Sequence, residues 1–505
     1  MTQPRNQLVD PTQAGTFHRV NRCVRRSWLC SFDKYLGKSF EHRKSWAEAR
    51  MMKSLILTFV ALLLAGTSMA NDPIWSHRRA GDGNFSDVAN TVLVADQALY
   101  VAGRVVRSAG NLQVSRGFLA RHDQQSGAQL WAVEILPASL NTLGLQCSVV
   151  RRLPNSLGIA VGCGSAIDGY GVFVFSADGA PRWSVLLGTS DAAQDVFGGL
   201  AVDAQGRLFL AGTHRTGAID SVRVHAFSPG GQALWNADYP GPENAATAVA
   251  ITADELGGAV VAGTITTKDR NIEVLAVRFS AVGAVAWHRG FGGPDGGSID
   301  QASDIVLQGG DIYVAGTING QTESGSDGFL ARLGMDGSLA WQVTFDGGSG
   351  SAERFRALAV DVGGGAYAVG ASTINGARSD TLIAAFSPQG ALRWSHRTPA
   401  AFVTQNRYWD IALDAAGKPH VAGAASLVFG STASIYDSFA TDGRLLRREA
   451  YTGPAGVAEA RALGVDRRGN VYLAGTFTAA STGFDAMTLR YDQDQLFSDG
   501  FGASH

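Results

Sequence analysis

Eight times along this chain a short apolar run closes on a glycine: LYVAG at Gly103, IAVGCG at Gly162, LFLAG at Gly212, VVAG at Gly263, IYVAG at Gly316, AYAVG at Gly370, PHVAG at Gly423 and VYLAG at Gly475. The copies lie 50 to 59 residues apart. A period of that length restricts the fold to repeat architectures, in which one unit cannot bury its own faces and must stack on its neighbours.

Each unit divides into four short strands. Before most glycine anchors stands an alternating run closed by a D-x-x-G turn, as in GLAVDAQG, AITADELG, ALAVDVGG and DIALDAAG. The Asp bonds its own backbone and the Gly tolerates positive φ, so anchor and run form a hairpin. A polar loop and a third strand follow (GFLARHD, VRVHAFSP, TLIAAFSP), and a second glycine turn leads into a fourth strand. Four residues beyond that glycine comes tryptophan: Trp131, Trp183, Trp235, Trp287, Trp341 and Trp394, with Arg447 in the seventh copy. The 63 glycines against 14 prolines fit a chain of many tight turns.

Four antiparallel strands repeated eight times predict an all-β protein, an eight-bladed β-propeller. The last copy ends before its fourth strand. The sequence DPIWSHRRAG puts Trp75 in the tryptophan position far upstream, so the strand around Trp75 is expected to complete the last blade by pairing with Ala486 to Tyr491. The letters WSHR recur in the sixth repeat at Trp394 to Arg397. Both copies read as fourth strands, and His77 and His396 as strand residues.

The segment MMKSLILTFVALLLAGTSMA (residues 51–70) has one lysine, an apolar run from Leu55 to Leu64 and small residues up to Ala70. It reads as a secretory leader, too short to span a membrane, with Thr67 where a lipoprotein would carry Cys. Residues 1–50 are then expected to be an over-extended, disordered N-terminus, residues 71–495 the single propeller domain, and 496–505 a tail. Residues 1–70 hold 11 basic and 4 acidic residues, which leaves 31 and 40 beyond them and a net charge of −9. Phosphate-tracking nucleic-acid binding is disfavoured. Cys147 and Cys163 flank one hairpin turn and are expected to form a cross-strand disulfide in an oxidising compartment, free thiols being the alternative.

The run WQVTFDGGSGSAERFRALAVDVGGGAYAVG (Trp341 to Gly370) resembles bacterial SBBP-type β-propeller repeats, and hairpins such as LARHDQQSGAQLW resemble the tryptophan-docking motif of PQQ-type propellers. The resemblance implies fold strongly and activity weakly. The ending QLFSDGFGASH is similar to a short terminal motif of exported Gram-negative proteins, with Gly502 in place of the usual acid. Location is expected to be periplasmic or extracellular.

Chemistry is less defined. A quinoprotein would need PQQ, Ca²⁺ and a catalytic carboxylate, and many carry adjacent cysteines; this chain has no Cys-Cys pair. No H-E-x-x-H, G-x-S-x-G or P-loop is present, so no catalytic residue is named and no cofactor is required. Asp87, Asp195, Asp300 and Glu353, with Asn406, recur just before the first strand of their blades. Such a column either rings a channel and binds a cation such as Ca²⁺, or caps the turns entering the blades. The long variable segments Arg104–Arg116, Gly292–Asp300, Asn319–Gly328 and Pro399–Trp409 fall on one face, where Arg407, Tyr408 and Trp409 are the candidate ligand anchors. A monomeric binding or scaffolding module for a protein, glycan or small ligand is the first reading. A propeller enzyme, quinoprotein-like or carbohydrate-active hydrolase or lyase, is the alternative.

Overall fold

The computed structural model describes residues 72–493, apart from 83–84, 96, 111, 137–143, 166–168, 188–194, 270, 294–298, 320–324, 349, 375–377, 401–404, 427–430 and 480–482. The leader at 51–70, the segment before it and the tail at 496–505 lie outside the described residues. Among these residues there is no helix long and apolar enough to cross a membrane.

The strands form eight four-stranded antiparallel sheets, an eight-bladed β-propeller. Seven blades are consecutive in sequence. Their inner strands are Val88–Ala95, Gln146–Leu153, Val196–Val202, Ala246–Ala253, Gln301–Gln308, Ser351–Val360 and Arg407–Leu413. Blade 8 has Ala458–Val465 innermost, and its outer strand is Trp75–Arg79. That strand runs antiparallel to Gly483–Tyr491, with Trp75 opposite Arg490 and Arg79 opposite Ala486. The expected closure is therefore the one observed, and the inner strand of blade 1 packs against those of blades 2 and 8.

Apolar packing lies between blades. At the closing seam, Leu99, Val101 and Phe118 of blade 1 share one core with Ala462, Tyr472 and Ala474 of blade 8, and Trp75 packs against it. Each fourth-strand tryptophan lies over the glycine turn joining the third and fourth strands of the next blade. Indole N–H groups donate to carbonyls of those turns: Trp75 to Gln124 (3.2 Å), Trp131 to Ala177 (3.1 Å), Trp183 to Pro229 (3.0 Å), Trp287 to Met335 (2.9 Å), Trp341 to Pro388 (2.9 Å) and Trp394 to Thr441 (2.9 Å). Trp235 lies over Gly283 in the same manner.

Arg447 takes this position in blade 7 for a topological reason. Blade 8 draws its outer strand from the other end of the chain, so it has no third-to-fourth-strand turn to receive an indole. The Arg447 guanidinium, nearly buried and paired with Glu449 at 2.7 Å, donates instead to the Asp492 carbonyl at 2.6 Å and lies over Tyr436 and Tyr491.

One expectation changes. Arg104–Arg116 is not a loop. It is the outer part of a long hairpin in which Ala98–Ala109 and Leu112–Asp123 stay in register from Val105 opposite Arg116 to Ala109 opposite Leu112. Val105 and Val106 stay buried and the ladder continues until Gly110, at φ 63°, allows the turn. Cys147 and Cys163 stand directly opposite each other on adjacent strands of blade 2 and are joined in a disulfide, both fully buried.

Removing residues 72–81 strips the outer strand from blade 8, uncovers the edge of Gly483–Tyr491 and takes Trp75 from its turn. The expected cost is at least about 3 kcal/mol, seen as a lower urea midpoint. A deletion variant with the parent's midpoint would contradict closure through this strand.

Candidate functional site

Every inner strand carries a β-bulge at the same place, and the extra residue lies at the channel wall: Asn90, Ser148, Gly198, Val249, Ser303, Arg356, Trp409 and Arg461 in blades 1 to 8. A bulged residue is unpaired and re-aimed, which is how a regular repeat directs side chains inward. Several of these residues reach toward the next blade's inner strand. Asn90 donates to the Cys147 carbonyl at 3.0 Å, and a Cβ on Gly198 would meet Ala248 at 2.9 Å.

The resulting wall is lopsided. Blades 1 to 5 contribute neutral, mostly small residues, whereas blades 6 to 8 contribute two arginines and a tryptophan. Trp409 donates its indole N–H to Glu459 of blade 8 at 2.5 Å. The Arg356 guanidinium lies 4.4 Å from the centre of its ring and that of Arg407 lies 5.1 Å away. Cation–π attraction holds these like charges around one aromatic. Arg354 is exposed beside them, and Arg461 approaches Glu459 at 3.6 Å. Arg104 of blade 1 extends the group, held by the Ser86 carbonyl at 3.1 Å. Burial and the nearby guanidiniums push Arg356 down from its ordinary value, and burial with the Arg461 charge does the same to Arg104. The buried Nε atoms of Arg104, Arg356 and Arg407 have no acceptor. Five guanidiniums thus cluster on this side of the wall, where Arg461 approaches Glu459 and Arg356 feels its charge.

One residue past the bulge, Asp304 of blade 5 and Asp410 of blade 7 form a second tier. Asp304 accepts from its neighbour Ile305 N–H (2.8 Å) and from Leu358 N–H of blade 6 (2.9 Å). Asp410 accepts from Ile411 N–H (2.8 Å) and Leu463 N–H of blade 8 (2.7 Å). Each carboxylate therefore satisfies an inner-edge N–H of the following blade. Protein surrounds both laterally while they keep some solvent contact along the bore. That enclosure pushes Asp304 up to about 7 and Asp410 up to about 6, against the bonds from those amides. Arg151 of blade 2 projects into the same space, and its charge acts on both carboxylates. Arg151, exposed to the bore, is itself lowered by the protein that rings it.

The proposed anchors separate by one residue. Arg407 and Trp409 belong to the arginine wall, whereas Tyr408 is fully buried in the blade, its phenol donating to Asp437. Asp87, Asp195, Asp300 and Asn406 each bond main-chain N–H groups of their own blade: Val106 (2.7 Å), Arg215 (3.1 Å), Asn319 (2.8 Å) and Ser426 (2.9 Å). These four tie down the end of the second strand. Glu353 differs, accepting from the Ser372 hydroxyl at 2.7 Å through one oxygen. His77 stacks edge-on against His122 (4.4 Å between centroids), and His396 lies 5.3 Å from Phe439. Neither belongs to the channel wall. Arg356, Arg461, Arg151, Asp304 and Asp410 were not singled out by sequence motifs. Their signal is a variable residue at a fixed repeat position.

No protein-family model matches the chain, and no curated protein sequence matches it. Among solved structures, it is similar to the polysaccharide lyase Uly1 (TM-score 0.41, 10% identity, covering 81% of this chain and 90% of that one). It is also similar to the periplasmic gluconolactonase PpgL of Pseudomonas aeruginosa (TM-score 0.37, 14% identity, 65% and 96%). A third likeness is to a protein of unknown function from Bacteroides caccae (TM-score 0.34, 12% identity, 56% and 90%).

The raised carboxyls carry a pH signature. An acid whose folded pKa exceeds its unfolded value near 4 contributes stability that is complete below that value and lost as pH rises through about 7 for Asp304 and about 6 for Asp410. Asp304→Ala is therefore expected to cost more at pH 5 than at pH 8, by about 1–2 kcal/mol in paired urea titrations. A cost independent of pH would show that Asp304 is ionised throughout.

Proposed function

We propose that this chain is an exported, monomeric binding module of the SBBP-type repeat class, whose channel mouth holds the anionic groups of an acidic glycan. The observation that carries this reading is the arginine wall around Trp409, set opposite a neutral wall. Guanidiniums favour carboxylates and sulfates because their paired N–H donors match such oxygens. The small residues of blades 1 to 5 leave room for a bulky ligand to approach. The leader-like sequence and the disulfide support a periplasmic or extracellular location. The net acidity beyond residue 70 disfavours the extended basic track of a nucleic-acid binder. Binding of this kind needs no redox cofactor, PQQ included.

A second reading rests on Asp304 and Asp410. Two enclosed carboxyls with values near neutrality have the proton affinity that general acid–base cleavage of a glycan requires. On that reading the arginine wall positions the substrate and the two acids exchange protons with it.

One experiment addresses both. Oligogalacturonate, with neutral oligosaccharide as control, is titrated into the protein calorimetrically, and the mixtures are then sized. Binding is expected for the acidic oligomer alone, weakened by salt and reduced at least tenfold in Arg356→Ala and Trp409→Ala. Affinity unchanged in both variants would overturn the proposed site. Intact oligomer after incubation supports the binding role, whereas shortening that Asp304→Ala abolishes assigns the enzyme role.

A further inference from the structure

We propose that the junction between blades 5 and 6 is a Ca²⁺ site whose ligands are Asp327, Asp346 and Glu353. The three come from separate parts of the repeat. Asp327 lies near the start of the third strand of blade 5 (Ser326–Gly334), Asp346 directly follows its fourth strand (Leu339–Phe345), and Glu353 lies on the inner strand of blade 6. One oxygen from each lies within 4.8 Å of the others. Two oxygens bound to one Ca²⁺ at about 2.4 Å can be no farther apart than about 4.8 Å, so the spacing fits a shared ion. Among the described residues no other trio of His, Cys, Asp or Glu side chains comes so close.

Proximity of acids alone would not make a site; their unmet bonding does. Glu353 is 0% exposed and its Oε2 has no hydrogen-bond partner. Asp327 is 7% exposed and its Oδ1 has none either. A buried carboxylate oxygen with no donor is costly, and two beside a third acid are costlier still. Burial, with the charges of Asp346 and Glu353, pushes the Asp327 carboxyl up to about 6. The nearby Arg397 bonds none of the three acids directly, donating instead to the Ser372 hydroxyl at 3.1 Å and to the Gly347 carbonyl. Gly347 packs so closely that a Cβ there would meet Glu353 Oε1 at 2.2 Å, so the loop lies directly over the carboxylate.

The repeat supplies internal controls. At the blade 6–7 junction the corresponding residues are Asp380, Pro399 and Asn406, and Asp380 is met by Arg378 (3.2 Å) and by Ala400 N–H (2.8 Å). At the blade 8–1 junction they are Asp485, Ala80 and Asp87, and Asp485 pairs with Arg78 at 2.6 Å. Only the blade 5–6 junction places acids at all three positions, and there no arginine pairs with them. All-oxygen donors select a hard cation over zinc or copper, and ligands of unequal length on strand and loop suit the adaptable coordination of Ca²⁺ better than the strict octahedron of Mg²⁺. Asp346, the exposed member, leaves a route for the ion.

The test uses the purified protein stripped with EDTA, titrated with CaCl₂ by calorimetry and followed by thermal unfolding, with MgCl₂ as comparison. One Ca²⁺ per chain and a rise in Tm are expected. Asp346→Asn, an exposed change that leaves the fold intact, is expected to weaken binding at least tenfold. Glu353→Gln is expected to invert its effect: Tm equal to or above the parent's in EDTA, because a repulsive charge is gone, yet below it in Ca²⁺. No heat and no shift up to about 10 mM Ca²⁺ would overturn the proposal, as would a shift that Asp346→Asn leaves unchanged.

Discussion

The ring depends on the contact between a fourth-strand tryptophan and the glycine turn of the next blade. The turn glycines beneath the indoles, from Gly127 to Gly443, all have positive φ, and a Cβ on any of them would come within 2.5–2.9 Å of the ring. Glycine is therefore required twice, for backbone conformation and for contact distance. Six of the seven indoles add a hydrogen bond to their apolar burial, so one side chain fixes both spacing and orientation of adjacent blades. A two-residue device repeated around the ring lets sequences between the turns vary without loss of architecture. Arg447 shows the rule by its exception, since the indole is replaced where the chain break removes the turn.

This also explains why the architecture was legible. A glycine and a tryptophan stand four residues apart in six copies, and Trp75 without such a glycine before it identifies the strand that crosses between chain ends. The channel was less legible, because its residues are defined by the bulge and not by alternation. Past a bulge the side chains change faces, so reading Arg407, Tyr408 and Trp409 as one cluster joins two residues of the bore to one in the blade core. The recurrence of Asp87, Asp195 and Asp300 in one column accompanies main-chain capping. The polar residues of Arg104–Arg116 read as a loop in sequence, and only the strand pairing shows that the hairpin continues through them.

Chemistry in such a protein is best sought where one blade departs from the others at a position the fold has already fixed. Asp304 and Asp410 replace the uncharged residues Thr91, Val149, Gly199, Ala250, Ala357 and Ala462 of the same column. They accept from main-chain amides of their own strand and of the following blade. Their cost is visible in their raised proton affinity, and an alanine would avoid it. The arginine wall has the same character, since like charges are gathered where other blades place Asn90, Ser148, Gly198, Val249 and Ser303.

The acids at the blade 5–6 junction follow this logic outside the bore. Glu353 occupies the capping column, yet its longer side chain bonds Ser372 with one oxygen and leaves the other unmet, while Asp327 and Asp346 add charge without the arginine found at the blade 6–7 and 8–1 junctions. A structural cap would be served better by the Asp or Asn used in other blades. The substitution is intelligible when the unmet oxygens are ligands, for then the repulsion that destabilises the metal-free junction becomes the attraction that fills it. Since the three ligands come from two blades, occupancy would lock that seam in addition to the indole contact of Trp341 with the blade 6 turn.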